Sequence, residues 1–481
     1  MNFKKILCLG LATLMLSCSG TAVLADSTSS EDGAQAQLLA TSTVTSDGVV
    51  YEYDSAAQTA VAKSLASTTA TTVKIAATAN SYPVVAIADN FCTGNTTVTT
   101  VNLADATNLK SIGDNAFAYC TNLKTVSFKT SGSVLSEIGN NAFYYCPALN
   151  TVSGIDNQTN LTKVGSCVFA LTPFMAAKND EFVMLANVLV KYNGSSAIVT
   201  VPETTTAIAD AFFGKSITSI DLGSVGYIGN NAFYGCRSLG EVSIPEACTE
   251  IGDMAFAGCS ALAKVTYAGG LKKIGFNAFA NCTSLASFEN SAETASVLSN
   301  VGECAFWNCE KLGLLELGNI ETVNVGSFWN CFSGSTDALS YYRVPTSVKA
   351  IGEGGYGNLS FTYITVPETV ESIASSAFGN ADGATYVTVK GSAADTYFAS
   401  SNYKSVNYGD VNLDGKIAAD DILTIEEHIA GGATENMTSD IGDAPALVTD
   451  SDNNSKITLY DLFKIFSSIK EAYEAEKAAQ Q

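Results

Sequence analysis

The chain has 481 residues, with 25 Lys or Arg against 47 Asp or Glu and a net charge of −22. Nucleic acid needs a basic face, so this balance excludes it as a partner; the acidity supplies solubility and cation affinity instead. The single histidine, His428, lies near the C-terminus, so no Ser-His or Cys-His nucleophile is available to the long region before it.

At the N-terminus Lys4 and Lys5 precede an apolar run from Ile6 to Leu16, followed by Val23-Leu24-Ala25. That order of charge, apolar stretch and small residue predicts a secretory signal peptide, residues 1–25, cut after Ala25. A lipid-modified Cys18 is the competing reading, and Met15 and Leu16 fit it poorly. Residues 26–43 are expected to be a disordered segment. No later segment is long and apolar enough to span a membrane.

From there the chain repeats itself. The unit is Ile-Gly-x-x-Ala-Phe-x-x-Cys-x-x-Leu-x-x-Val-x-Ile, opening at Ile112, Ile138, Ile228, Ile251 and Ile274, and with drift at Val164, Ile208, Val301, Val323, Ile351 and Ile373. The intervals run mostly from 20 to 28 residues, the range in which one repeat is one turn of a solenoid. The apolar positions of one rung cannot be covered within it, so neighbouring rungs must stack. Gly48 to Asp89 reads as the N-terminal cap. The excursion from Leu171 to Ser196 reads as an inserted hairpin, strand-like on both sides of Asn187, and Gly391 to Tyr408 as a helix and strand closing the last rung.

Eleven cysteines remain after Ala25, an odd number, and most fill one slot of the repeat: Cys120, Cys146, Cys236, Cys259, Cys282, Cys309 and Cys331. A residue recurring at the repeat period fills a buried rung, so these are expected to be buried thiols and not disulfides or metal ligands. Gly352, Gly354 and Gly357 spell Gly-x-Gly-x-x-Gly. They stand in the Ile-Gly slot of a repeat, without the strand-to-helix context of a dinucleotide site. The acids are scattered, and no segment outside the repeats is long enough for a catalytic domain, so the chain is read as not an enzyme.

In Leu-x-x-Val-x-Ile the first, fourth and sixth residues point inward, and the third and fifth project from the sheet. The projecting face changes along the array from small hydroxyls, such as Thr100, Thr125 and Ser127, to a column of Tyr341, Tyr363 and Tyr386 flanked by Glu316 and Arg343. Such a strip could stack on sugar rings or anchor a protein; equally, β-favouring Tyr could simply cover exposed strands.

The repeats over about residues 44–405 resemble the bacterial surface leucine-rich repeat family often called BspA-like. The resemblance implies an α/β fold class, with a leucine-rich-repeat solenoid presenting a parallel strand face, and a binding role.

Two acidic loops follow. The first carries Asp410, Asn412, Asp414, Gly415, Ile417 and Asp421; the second carries Asp450, Asp452, Asn454, Ser455, Ile457 and Asp461. In each, oxygen donors fall at the first, third, fifth and twelfth positions, and the carbonyls of Lys416 and Lys456 supply a further ligand, a pattern that fits calcium, one ion per loop. Helices are expected from Asp421 to Ile429 and from Asp461 to about Tyr473. A core of this size usually needs its metal, so the region is expected to be disordered without calcium. Ser455 stands where the loop wants Gly, which makes the second site the weaker.

The duplicated loops, over residues 406–475 with a tail at 476–481, resemble a type I dockerin. The resemblance adds a small all-α calcium-binding domain to the fold class and implies binding to a cohesin module of a scaffoldin, as in cellulosomes and related polysaccharide-degrading complexes. The cohesin-contacting positions carry over to Ala419 and Asp420 in one half and Leu459 and Tyr460 in the other. Taken together, these features describe a secreted non-catalytic adaptor, with a free secreted or surface adhesin, or an architectural spacer, as the alternatives.

Overall fold

The computed structural model describes residues 42–291, 296–315, 317–331, 341–359, 361, 363–379 and 383–407, and within these the side chains of 314, 341, 343 and 363 are not described. The signal peptide, the two calcium loops with their helices, the cohesin-contacting positions and the tail all lie outside the described residues. The N-terminal cap is three antiparallel strands, Ser42–Ser46, Val49–Asp54 and Thr59–Leu65. Its last strand pairs in parallel with Tyr82–Ile87, which starts the stack of rungs.

Each rung contributes to three parallel ladders, and each slot of the repeat is explained by one of them. The Ile-Gly slot forms two-residue strands, as where Glu137–Ile138 pairs with both Ser111–Ile112 and Lys163–Val164. The Val slot forms a second sheet, as in Thr100–Asn102, Thr125–Ser127 and Thr151–Ser153. Between them the Ala-Phe segment makes a ladder of turns. There Phe117 N donates to Ala142 O at 2.8 Å, and Phe233 N to Ala255 O at 2.7 Å. A Cβ on Gly139 would stand 2.6 Å from Asp114 N, and one on Gly165 2.4 Å from Asn140 N, so close approach of the previous rung demands Gly there. The residue after Gly accepts a bond from the following rung: Asp114 Oδ1 from Asn140 N at 2.6 Å, and Asn230 Oδ1 from Asp253 N at 2.8 Å.

Inside, the ladder phenylalanines stack ring on ring. Phe117, Phe143 and Phe169 follow at 5.1 and 5.0 Å, and Phe212, Phe233, Phe256 and Phe279 at 5.1, 4.9 and 5.2 Å. The Cys slot lies beside them. Cys236 Sγ donates to Phe212 O at 3.0 Å, Cys259 Sγ to Phe233 O at 3.1 Å and Cys282 Sγ to Phe256 O at 3.2 Å. A buried slot facing a carbonyl of the previous rung suits a thiol, which fills space and donates weakly. All eleven cysteines among the described residues are thiols, and every one but the half-buried Cys167 is buried.

The insertion is the antiparallel hairpin Phe182–Leu185 and Val188–Tyr192. It splices two runs of core, since Val188 packs with the N-terminal run and Leu189 with the C-terminal one. Lys163, before the insertion, reaches Glu250 beyond it at 2.5 Å and lies over the Tyr227 ring at 4.9 Å. At the other end the helix Ala393–Ala399, N-capped by Ser392, and the strand Lys404–Asn407 close the array.

The α/β expectation is corrected in one respect. Among the described residues the solenoid is parallel strands and turns, with helix only at Pro173–Ala176 and Ala393–Ala399 and one 3-10 turn at Ile155–Asn157. The span from ladder Phe to the next Leu is too short to complete a helix and return to the sheet, so the rung turns there instead.

Candidate ligand-binding surfaces

The strand face is half-buried at Thr100 to Ser127 and most open from Thr151 to Ser243. Thr151, Ser153, Thr200, Ser219, Asp221, Glu241 and Ser243 are exposed, and Ile198 is 70 % exposed. Hydroxyls pair across rungs, as between Ser243 and Thr266 at 2.9 Å, and Lys264 bridges Glu289 at 2.8 Å.

Farther along, the expected aromatic column is shorter than three. The Tyr341 and Tyr363 backbones pair in register, and Arg343 pairs with Thr365; their ring and guanidinium positions, and Glu316, fall outside the described residues. Tyr386 does not belong with them. It pairs with Ile364, one residue out of the expected register, and is 0 % exposed. Its ring stacks on Phe398 of the closing helix at 4.1 Å and meets Phe378 edge-on at 5.1 Å. Ala-Thr-Tyr-Val-Thr alternates acceptably in either register, and burial of the ring under Phe398 decides between them. Thr365, Thr385, Val387 and Thr388 are buried as well, so this end of the face is not an open platform.

A different column, hidden in the variable positions of the repeat, stands on the turn edge. The residue two after the ladder Phe is left-handed on rung after rung: Tyr119 (φ 59), Tyr145 (50), Leu171 (59), Gly214 (66), Gly235 (69), Gly258 (74), Asn281 (61), Asn308 (63) and Asn330 (57). Gly and Asn adopt that conformation readily, whereas a bulky side chain costs about 1–2 kcal/mol there. Yet Tyr119, Tyr145 and Leu171 occupy it on consecutive rungs and are 36, 43 and 57 % exposed. Their presence where Gly or Asn stands elsewhere is the sequence signal that marks them.

Where the hairpin enters, Val164, Val168, Met175, Leu185 and Val190 line a mostly apolar cavity of about 360 Å³ that also meets Cys167, Lys191 and Asp210. Asp210 Oδ2 accepts from Cys167 N at 2.8 Å, and burial pushes its carboxyl above the ordinary value. Most of the buried thiols are chemically quiet; Cys120 differs, because its contact with Cys92 at 3.7 Å lowers its pKa. Burial pushes Cys146, Cys236 and Cys248 up to about 12 and Cys304 to about 11, far from the thiolate that nucleophilic or ligating chemistry needs. Among the described residues no group of three His, Cys, Asp or Glu is placed to hold a metal ion, and no helix is long and apolar enough to cross a membrane.

The family model described as BspA type leucine rich repeat region (6 copies) matches residues 85–179, 205–335 and 330–417; the hairpin falls in the gap between the first two. Among solved structures, a leucine rich cell surface protein from Faecalibacterium prausnitzii is 22 % identical, covering 74 % of this chain and 96 % of its own, with a TM-score of 0.29. A leucine-rich repeat protein from Eubacterium ventriosum is 19 % identical over 64 % of this chain and 92 % of its own, with a TM-score of 0.33. One from Bacteroides ovatus is 20 % identical over 76 % and 99 %, with a TM-score of 0.28. No curated protein matches the chain.

Proposed function

We propose, from the premise that this chain belongs to the BspA-type leucine-rich repeat family, that it is a non-catalytic binding protein working outside the cell, its solenoid presenting a ligand surface and its C-terminal region docking it to a scaffold. The observation that carries this reading is the division of labour within each rung. The chemically capable side chains of the repeat, above all the Cys column, are consumed in the core. What remains outside is an open strand face of hydroxyls and carboxylates from Thr151 to Ser243, a surface made for contact.

The docking half of the reading rests on the two acidic loops. Asp410, Asn412, Asp414 and Asp421, with the Lys416 carbonyl, would hold one calcium ion, and Asp450, Asp452, Asn454 and Asp461, with the Lys456 carbonyl, a second. Calcium would supply the folding energy of this small region, and Ala419, Asp420, Leu459 and Tyr460 would then meet a cohesin. Binding of the secreted full chain to a panel of cohesins, with calcium and with chelator, tests it beside an Asp410→Ala/Asp450→Ala variant. Calcium-dependent capture lost in the variant supports a scaffoldin adaptor. Absence of capture by every cohesin, with calcium binding intact, would sink the docking half and leave a free or surface-attached adhesin.

A further inference from the structure

The left-handed column on the turn edge does what the fold alone does not ask of it. At this slot the chain uses Gly214, Gly235 and Gly258 in the middle of the array and Asn281, Asn308 and Asn330 later, the residues to which the conformation comes easily. On the three rungs before the hairpin it carries Tyr119, Tyr145 and Leu171 instead. Burial offsets the strain only in part, since these side chains stay 36, 43 and 57 % exposed, and strained positions are where function is to be sought.

What they build is a tilted aromatic ledge. The Tyr119 and Tyr145 centroids are 5.7 Å apart at 45°. Beneath them the buried Tyr144 meets Tyr119 edge-on at 5.5 Å, and Leu171 continues the ledge by one rung. The backbone is pinned as well: Tyr119 N donates to Tyr144 O at 2.8 Å and Tyr145 N to Ala170 O at 3.0 Å. The rings are therefore held before any ligand arrives, which lowers the entropy lost on binding.

Charge narrows the partner. The turn segments 115–123, 141–150 and 166–177 contain no Asp, Glu, Lys or Arg, in a chain of net charge −22. A partner stacked on the two tyrosines meets these uncharged segments, with Lys191 and Asp210 set in the cavity that Leu171 also lines. The ledge is also an open edge and not the enclosed, desolvated pocket in which aromatic anchors of protein interfaces usually sit. Flat, half-exposed Tyr rings with hydroxyls at their rims suit a ligand that offers an apolar C–H face ringed by hydroxyls.

We propose that Tyr119, Tyr145 and Leu171 form a binding ledge for an uncharged polysaccharide, with sugar rings stacked on the two tyrosines. The inference rests on the reading of the solenoid as a binding module and assigns that module a ligand class and a place.

The test is affinity electrophoresis of the full chain in gels containing hydroxyethylcellulose, xylan, mannan or the acidic polymer polygalacturonate, with and without chelator. The same runs include Tyr119→Gly/Tyr145→Gly, and thermal unfolding is recorded for both proteins. The ledge predicts retardation by at least one neutral polymer, insensitive to salt and chelator. Removing the two ring contacts should weaken it about tenfold or more, with an unfolding midpoint that is unchanged or higher. Retardation untouched by the variant removes the site while keeping the solenoid a glycan-binding module. Retardation by polygalacturonate alone, or by none of the polymers, overturns the ligand class without bearing on cohesin capture. A midpoint that falls together with retardation makes the tyrosines structural and overturns the proposal.

Discussion

The same left-handed slot is used in opposite ways at the two ends of the solenoid. In the later rungs it holds Asn281, Asn308, Asn330 and Asn358, whose side-chain amides hand a hydrogen bond from rung to rung: Asn308 Nδ2 to Asn281 Oδ1 at 3.1 Å, Asn330 to Asn308, and Asn358 Nδ2 to Asn330 Oδ1 at 2.5 Å. There the side chain repays its conformation with a continuous amide ladder. In the earlier rungs Tyr119, Tyr145 and Leu171 make no such hydrogen-bonded ladder and stay about half exposed. The backbone of the slot belongs to the fold, and its side chain is left open for either stability or recognition.

The comparison breaks first if the cores beneath the two ends differ. Phe143, between Phe117 and Phe169, and Phe279, between Phe256 and Phe306, are both 0 % exposed in near-parallel stacks. Truncation of either to Ala should cost a similar amount, about 3–5 kcal/mol, read as loss of unfolding free energy in urea. A large asymmetry would place the difference between the ends in the core and not on the edge.

A smaller effect is expected from alkali. Burial raises the folded thiols of Cys146 and Cys236 from 9.0 to about 12. Above pH 9 the unfolded chain therefore binds fewer protons than the folded one. Their contribution to stability is complete below about pH 9 and is lost as pH rises through the folded values. Urea midpoints should fall from pH 9 upward, and Cys236→Ala should shallow that slope while lowering stability at pH 7 by about 1 kcal/mol. A slope unchanged in the variant would show that the thiol is not held as described.

Much of this architecture was legible in the chain itself, because each recurring residue answers a contact at the rung spacing. Gly139 and Gly165 answer the approach of the previous backbone, Phe143 the ring stack, and Cys236 the Phe212 carbonyl. The hairpin at Phe182–Tyr192 and the closing helix and strand were readable as breaks in that rhythm. Tyr386 was misplaced because a strand with apolar and β-branched residues on both sides carries no register of its own, and only Phe398, from a helix further along, fixes it. The aromatic ledge was missed because it lies in positions the repeat leaves variable, where a left-handed φ shows only in coordinates. The cavity beside Cys167 and Asp210 was out of reach for another reason: its partners are 43 residues apart and meet only because rungs close up across the insertion.

The subtlest effect is also the most direct test of the central claim, that one slot serves the fold at one end and a ligand at the other. Urea unfolding of Tyr145→Gly and Asn308→Gly compares the same change at equivalent positions. Release from the left-handed strain should leave Tyr145→Gly unchanged or more stable by up to about 1 kcal/mol, whereas loss of the amide links should make Asn308→Gly less stable by about 1 kcal/mol. Destabilisation of the same sign and size in both would contradict the account, because Tyr145 would then be as much a part of the scaffold as Asn308.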